Sequence, residues 1–399
     1  MSNKTLNPYT LRQLLQIKNG RDHKELAEGN IPVYGSGGIM RYANKAIYEG
    51  ESILLPRKGT LSNIQYVNRP FWTVDTIYYS IVNQELASPY YLYNYIKKLD
   101  LSWLNSGTGV PSMTFDAYYD LEIYLPELKI QKKIAKVLSD LDTKIELNNK
   151  ISTELEKMAK TLYDYWFVQF DFPDTNGKPY KTSGGKMVWN EELKREIPEG
   201  WQVKPLCEAI ETILDHRGKT PKKLGGDWTE EKDGIIALSA KIVKNGKLIN
   251  LNQANKVTKE LYEKWMPIKL IDGDILMTSE APAGEFYFIL GKTNYCMSQR
   301  LFAVRANELK VIPSYLYYEL SKGNGYSQIM GSLSGSTVFG IRQDVLRKIL
   351  IIIPNLAIQK EFNKIVLPQL KQIKLIDEQN IELASVRDWL LPMLINGQV

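Results

Sequence analysis

The chain has 399 residues, with 51 lysines and arginines against 45 aspartates and glutamates, two histidines and two cysteines. At roughly 100–200 residues per domain that is two or three domains, and a hydrophobic content of 44% belongs to an ordinary folded protein. The longest aliphatic run, Ile349–Ile353, is far short of the roughly 20 apolar residues of a membrane helix. Met1 to Thr10 holds no apolar signal core, and Cys207 and Cys296 cannot build a disulfide framework, so a cytoplasmic location is expected. Two His and two Cys, far apart, give no zinc-ligand spacing, and no metal site is expected. A net charge of +6 permits a nucleic-acid partner without requiring one.

In chain order, Ser52–Leu55, Ile64–Val67 and Thr76–Val82 read as strands, and Pro89–Leu99 as a helix with Pro near its start. A long helix is expected from Ile130 to Phe167, about 55 Å at ~1.5 Å per residue. Asp171–Gly200, rich in Pro, Gly, Lys and Thr, reads as a linker. Strands follow at Ile275–Thr278, Glu285–Leu290 and Leu301–Arg305, then a helix at Pro313–Lys322. A second long helix follows, which Pro368 should kink or restart.

The chain repeats itself. Ser106–Val168 aligns without gaps on Ser334–Asn396 at an offset of 228, with 16 identities in 63 positions. Pro126, Leu128, Ile130, Gln131 and Lys132 fall on Pro354, Leu356, Ile358, Gln359 and Lys360. Upstream the match is looser: Tyr9–Leu14 resembles Trp201–Leu206 at 192, and Gly50–Leu54 resembles Gly273–Met277 at 223. The shifting offset implies insertions in the second copy.

Both tails carry a heptad seam. In the first it runs through 134, 137, 141, 144, 148, 151, 155, 158, 162 and 165, with Ile134, Leu141, Asn148, Leu155 and Leu162 as its main positions. In the second it runs through 362, 365, 369, 372, 376, 379, 383, 386, 390 and 393, including Ile376, Leu383 and Leu390. One such helix cannot bury its own seam. Two copies can bury each other, most simply as an antiparallel coiled coil with Asn148 fixing register. The alternative packs each helix on its own globular part.

Catalytic motifs fail one by one. Gly218-Lys219-Thr220 and Gly291-Lys292-Thr293 end like phosphate loops, but Ile213 and Phe286 stand where the first Gly belongs. Gly35–Gly38 lacks the last Gly of a dinucleotide loop, and Asn7-Pro8-Tyr9 is one Pro short of the adenine-methyltransferase tetrapeptide. His23 and His216 lie in Gly/Lys-rich surroundings that suit a solvated or phosphate-contacting role. Recognition chemistry is better represented, because several loops join Gly, basic and hydroxyl residues. In the first half these offer Tyr34, Ser36, Arg57, Lys58, Thr60, Thr108 and Ser112. In the second they offer Arg217, Lys219, Thr220, Lys222, Ser279, Glu280, Gln299, Arg300, Ser336 and Thr337. Arg and Lys suit phosphates and guanine, and Ser, Thr, Gln and Glu can read base edges. The tyrosines at 78, 79, 90, 91, 93 and 95 read mostly as core. Three readings stand at this point: a non-catalytic DNA reader and scaffold, a DNA methyltransferase or nuclease acting alone, and a protein-interaction scaffold without DNA.

The sequence resembles the specificity (S) subunit of Type I restriction–modification systems. The resemblance rests on Ile31-Pro-Val-Tyr-Gly-Ser-Gly-Gly, Gly50-Glu-Ser-Ile-Leu-Leu-Pro-Arg-Lys-Gly, Leu125-Pro-Glu-Leu-Lys-Ile-Gln-Lys-Lys-Ile-Ala, Leu162-Tyr-Asp-Tyr-Trp-Phe, Ile197-Pro-Glu-Gly-Trp, Ile275-Leu-Met-Thr-Ser-Glu-Ala-Pro and Leu394-Ile-Asn-Gly-Gln-Val, in that order. It implies a mixed α/β chain with an internal pseudo-two-fold repeat: target recognition domains at 1–125 and 201–353, long helices at 126–170 and 354–399, and a linker at 171–200. Each domain would read half of a split site on double-stranded DNA. The helices would set the spacing and dock two modification (M) subunits, with restriction (R) subunits added. S-adenosylmethionine, ATP and Mg would sit on those partners, with no cofactor in this chain.

Overall fold

The computed structural model describes residues 6–105, 107, 109, 111–216, 218–335 and 339–395. The chain forms two compact units, Met1–Asn148 with Glu378–Val399, and Asn149–Asp377. Each long helix passes from one unit into the other.

The first unit is built on a four-stranded antiparallel sheet ordered Leu15–Asn19, Ile77–Val82, Glu51–Pro56, Gln65–Asn68. A smaller sheet joins Gly38–Ala43 to Ile31–Gly35, which pairs in parallel with Trp72–Thr73. Asn7–Thr10 pairs with Glu122–Leu125. The second unit repeats all three sheets. Its four-stranded sheet is Ile210–Asp215, Leu301–Ala306, Ile275–Thr278, Phe286–Phe288. Its smaller sheet joins Lys256–Val257 to Ile235–Leu238, again parallel to a third strand, Cys296–Met297. Gln202–Pro205 pairs with Leu350–Ile353.

The pairing corrects two offsets. Asn7 faces Leu125 and Gln202 faces Ile353, so the first strands correspond at 195 rather than 192. Leu11 and Leu206 then coincide; both are buried, and their amides donate to Leu121 and Ile349, which are 228 apart. Likewise Leu55 faces Tyr78 and Met277 faces Phe302, which sets the central strand at 222 rather than 223. A one-residue slip in a strand exchanges its faces. At 222, Ile53 and Leu55 match Ile275 and Met277 in the two main cores.

One polar device is copied in both units. Gln131, at the start of the first long helix, is buried; its Nε2 donates to Pro126 O at 2.9 Å and Leu86 O at 3.1 Å, and its Oε1 accepts from the Ser88 amide at 3.0 Å. Gln359 makes the same three bonds, to Pro354 O at 2.7 Å, Lys310 O at 3.4 Å and the Ile312 amide at 2.8 Å. Ser88 and Ile312 precede the helices Pro89–Lys98 and Pro313–Lys322, each opened by Pro. A buried amide with all its partners locks these helices to the domain at low cost.

The long helices are Leu128–Tyr163, closed by a π turn at Asp164–Val168, and Leu356–Ile395. Within each unit their segments run antiparallel. In the first, Asn148 Nδ2 donates to Asn380 Oδ1 at 2.9 Å, Asp142 meets Arg387 at 2.7 Å, and Ile134 shares a core with Ile395. In the second, Tyr163, Trp166 and Phe167 pack around Phe362.

The seam is half as expected. Positions 134, 141, 148, 155 and 162, and 362, 369, 376, 383 and 390, all face inward. The alternate positions lie one residue later than expected: 138, 145, 152 and 159, and 366, 373, 380, 387 and 394. Reading the seam by apolarity favoured Val137, Ile151 and Met158, but small Ser152 and Ala159 are the buried residues. Pro368 does not restart the second helix. It lies on an exposed side, where solvent can serve the carbonyl it leaves free.

Residues 171–200 are folded rather than a free tether. Met187–Asn190 and Arg195–Pro198 form a hairpin, Phe172 stacks on Tyr180 and Trp201 at 4.6 and 5.0 Å, and Asp171 accepts from both the amide and the hydroxyl of Thr182.

Candidate nucleic-acid interface

In the first unit, four connections meet at one end of the four-stranded sheet. As the chain leaves Pro56, the amides of Arg57 and Lys58 both donate to Thr76 O, at 3.0 and 3.1 Å. The Gly59 amide donates to Pro111 O, and the Met113 amide to Arg57 O, so Lys58 bridges to Ser112. Gly59 has φ +88°, and a Cβ there would lie 3.1 Å from Ser36 Oγ; Ser36 O in turn accepts from Asn63 Nδ2 at 2.7 Å. Ser36, Arg57, Lys58, Thr60 and Ser112 are thus brought together. Lys58 and Thr60 are exposed, while Arg57 is half-buried, donating to Asp75 O at 3.3 Å.

The second unit closes the same way. The Ser279 amide donates to Arg300 O, the Ile341 amide donates to Ser279 O, and Glu280 bridges to Gly340, as Lys58 does to Ser112. Arg300 takes the left-handed φ of +70°, and its Nε reaches Glu280 Oε1 at 2.8 Å with both side chains well exposed. Beside this pair, Gln299 Nε2 donates to Lys219 O, and Lys219 Nζ to Trp265 O at 3.2 Å. Lys219, Thr220 and Lys222 line a cleft of about 830 Å³.

Several expectations change. Tyr34 is a core residue, 7% exposed, edge-on to Phe71, with its hydroxyl accepting from Arg69. Ser279, 2% exposed, holds the loop by its backbone and cannot reach a base. His216 is not solvated: it is buried, and burial with nearby Lys219 pushes its pKa down to about 4, so it is neutral at pH 7. The tyrosine reading holds: Tyr78 and Tyr91 are core, and Tyr90, Tyr93 and Tyr95 pack against it. Thr108, Arg217, Ser336 and Thr337 lie outside the described residues. Trp228, Lys241 and Gln253, which also line the cleft, were not anticipated. Their signal was available, because they lie in the segments that make the second copy longer than the first.

A family model described as the Type I restriction modification DNA specificity domain matches residues 3–157 and again 198–385. The chain belongs to this family. Two matches in one Type I specificity chain agree with the duplicated sheets and the duplicated glutamine. Among curated relatives, the Type I restriction enzyme MjaIX specificity subunit of Methanocaldococcus jannaschii is 25% identical, covering 92% of this chain and 83% of its own. The HindI specificity subunit of Haemophilus influenzae is 24% identical over 74% of this chain and 72% of its own. The crystal structure of a Type I S subunit from M. genitalium shares the fold, with a TM-score of 0.67, 17% identity and coverage of 99% and 97%. This specificity chain is therefore a DNA sequence-specificity subunit with two domains. Among the described residues no helix is long and apolar enough to cross a membrane, and no group of three or more His, Cys, Asp or Glu could hold a metal ion.

Proposed function

We propose that this chain is a non-catalytic cytoplasmic subunit whose two domains, at 1–125 and 201–353, each read one half of a bipartite site on double-stranded DNA. The observation that carries this is the framework at the end of the four-stranded sheet, the same in both units but differently furnished. Where the first unit presents Arg57 and Lys58, the second has a buried Ser279 and presents Glu280, with Arg300 beside it. Arg and Lys suit guanine N7 and O6, and Glu accepts from cytosine N4, so different half-sites are expected.

The long helices set the spacing and dock two methyltransferase (M) subunits, which methylate adenine at N6 using S-adenosylmethionine; restriction (R) subunits add ATP- and Mg-dependent translocation and cleavage. The helix surface supports the docking. Val137, Leu147, Ile151 and Met158 are exposed within about a quarter turn of one helix face. The counterparts of Val137, Leu147 and Met158 at 228 residues later, Ile365, Leu375 and Val386, are exposed too, while Gln379 stands opposite Ile151 in the repeat. An apolar patch present in two copies suits two copies of one partner. The net charge of only +6 suits a chain that shares its grip on phosphates with those partners.

The test is genome-wide mapping of N6-methyladenine in cells carrying this chain with its partners, before and after residues 201–353 are exchanged for those of a relative. One half-site should change, while the other half-site and the spacing stay. Change in both half-sites, or in neither, would sink the assignment.

A further inference from the structure

The second unit carries a cleft built from segments that are shorter in the first. Three connections around its smaller sheet are longer than their counterparts. The segment 20–30 becomes 216–234, the two-residue turn at 36–37 becomes 239–255, and 44–50 becomes 258–274. The cleft of about 830 Å³ is walled mainly by these three segments, with Ser298 and Gln299 joining them: Lys219, Lys222 and Trp228 from the first, Lys241 and Gln253 from the second, Trp265 from the third. Its volume lies within the range of small-molecule pockets, roughly 300–1,000 Å³.

Its chemistry is that of a nucleotide. Trp228 is 41% exposed and lines the cleft, its ring tilted 39° to that of Trp265 at 6.0 Å between centroids. Trp265 is 1% exposed, and among the described residues its indole N–H has no acceptor. Lys222 and Lys241 are both exposed, and the cleft holds one carboxylate, Asp227, occupied by the Trp228 amide. Gln253 supplies both an amide donor and an acceptor. In the first unit, the cavity beside Gly59 and Thr60 has one lysine, Lys97, matched by Asp100, and no aromatic ring.

An intact duplex keeps its base faces inside the stack and cannot offer one to a tryptophan. A nucleotide turned out of the stack can, and stacking then repays part of the unpairing. We propose that this cleft receives one extrahelical nucleotide of the bound DNA, its base on Trp228 and its phosphates beside Lys222 and Lys241, in the second half-site only. The proposal rests on the DNA-reading function above and deepens it.

The test uses the full chain co-purified with its partner subunits, on the target duplex found by methylation mapping. 5-Iodouracil is placed at successive positions, and photocrosslinks are located by mass spectrometry. A crosslink to Trp228 is expected from one position in or beside the second half-site, and from none in the first. Trp228→Ala should remove it and weaken binding by about 5- to 150-fold, the range base–aromatic stacking gives. Trp228→Phe should keep most of both. Because Trp228 is partly exposed, both variants should fold.

No crosslink at any position, with Trp228→Ala binding within twofold of wild type, overturns the proposal while DNA reading stands. Saturable binding of free AMP that quenches tryptophan fluorescence and is undisturbed by target duplex also overturns it, and makes the cleft a site for a free nucleotide. Failure of the wild-type complex to prefer its target duplex removes the reading beneath it.

Discussion

Gln359→Ala tests the duplicated glutamine directly. The side chain is 0% exposed, and its removal strands the Ile312 amide and the Pro354 carbonyl, both satisfied at 2.8 Å or less in the wild type. Each buried backbone group left without a partner costs about 1–3 kcal/mol. The longer bond to Lys310 O at 3.4 Å adds little. Entry of a water molecule would recover part of the loss, so a destabilisation of about 2–4 kcal/mol is expected. The assay is urea unfolding followed by tryptophan fluorescence, with amide hydrogen exchange at Ile312 as a local probe, since two units need not unfold together. Exchange at Ile312 should accelerate, and exchange at Ser88 in the other unit should not. Gln131→Ala should reverse the pattern at similar cost. An unchanged unfolding midpoint with unchanged exchange at Ile312 would refute the reasoning, for the amide would then be a passenger.

Three further outcomes are expected. Ala159→Leu should destabilise by about 1–3 kcal/mol through overpacking, whereas Met158→Ala, at a position 58% exposed, should stay within about 0.5 kcal/mol; equal effects in thermal melts would contradict the seam register. Asn148→Leu should cost about 1–2 kcal/mol by removing its bond to Asn380, and a double-mutant cycle with Asn380→Leu should show that the two positions are coupled. Glu319 is buried, and burial raises its carboxyl above the ordinary value although it accepts from Tyr163, Gly325 and Ile352. A folded pKa raised above the unfolded one gives stability that is full below the unfolded value and lost as pH rises through the folded one. The stability of Glu319→Gln relative to wild type should therefore improve as pH climbs from about 4.5, with a slope of at most about 1.4 kcal/mol for each pH unit. A pH-independent difference in melting would contradict this.

Much of the architecture was legible because duplication makes sequence speak twice. The 228-residue offset holds through Gln131 and Gln359, where function in the fold demands one residue type. It drifts where strands tolerate many apolar residues, so the central strand was misread by one residue, which Ile53 and Ile275 settle only through their cores. The helix seam was misread for a related reason: apolar Val137 and Met158 look like core, and small Ser152 and Ala159 do not, yet close helix approach favours small residues. Loops with the right chemistry were found, but burial was invisible. Tyr34 and Ser279 sit at the right ends of strands and point the wrong way, while Trp228 was marked only by lying in a segment that lengthens the second copy.

The division of the long helices has a consequence for how the chain is made. The second unit, Asn149–Asp377, is one continuous stretch, whereas the first needs Glu378 onward, with Ile395 in its core. At about 5–20 residues per second, a ribosome spends roughly ten to fifty seconds on the intervening segment. Throughout that time the inner face of the first long helix at Ile134 and Leu138 lacks its final cover. The first unit to be synthesised is thus the last to be finished, and its nascent form is where a chaperone or a premature partner would find an opening.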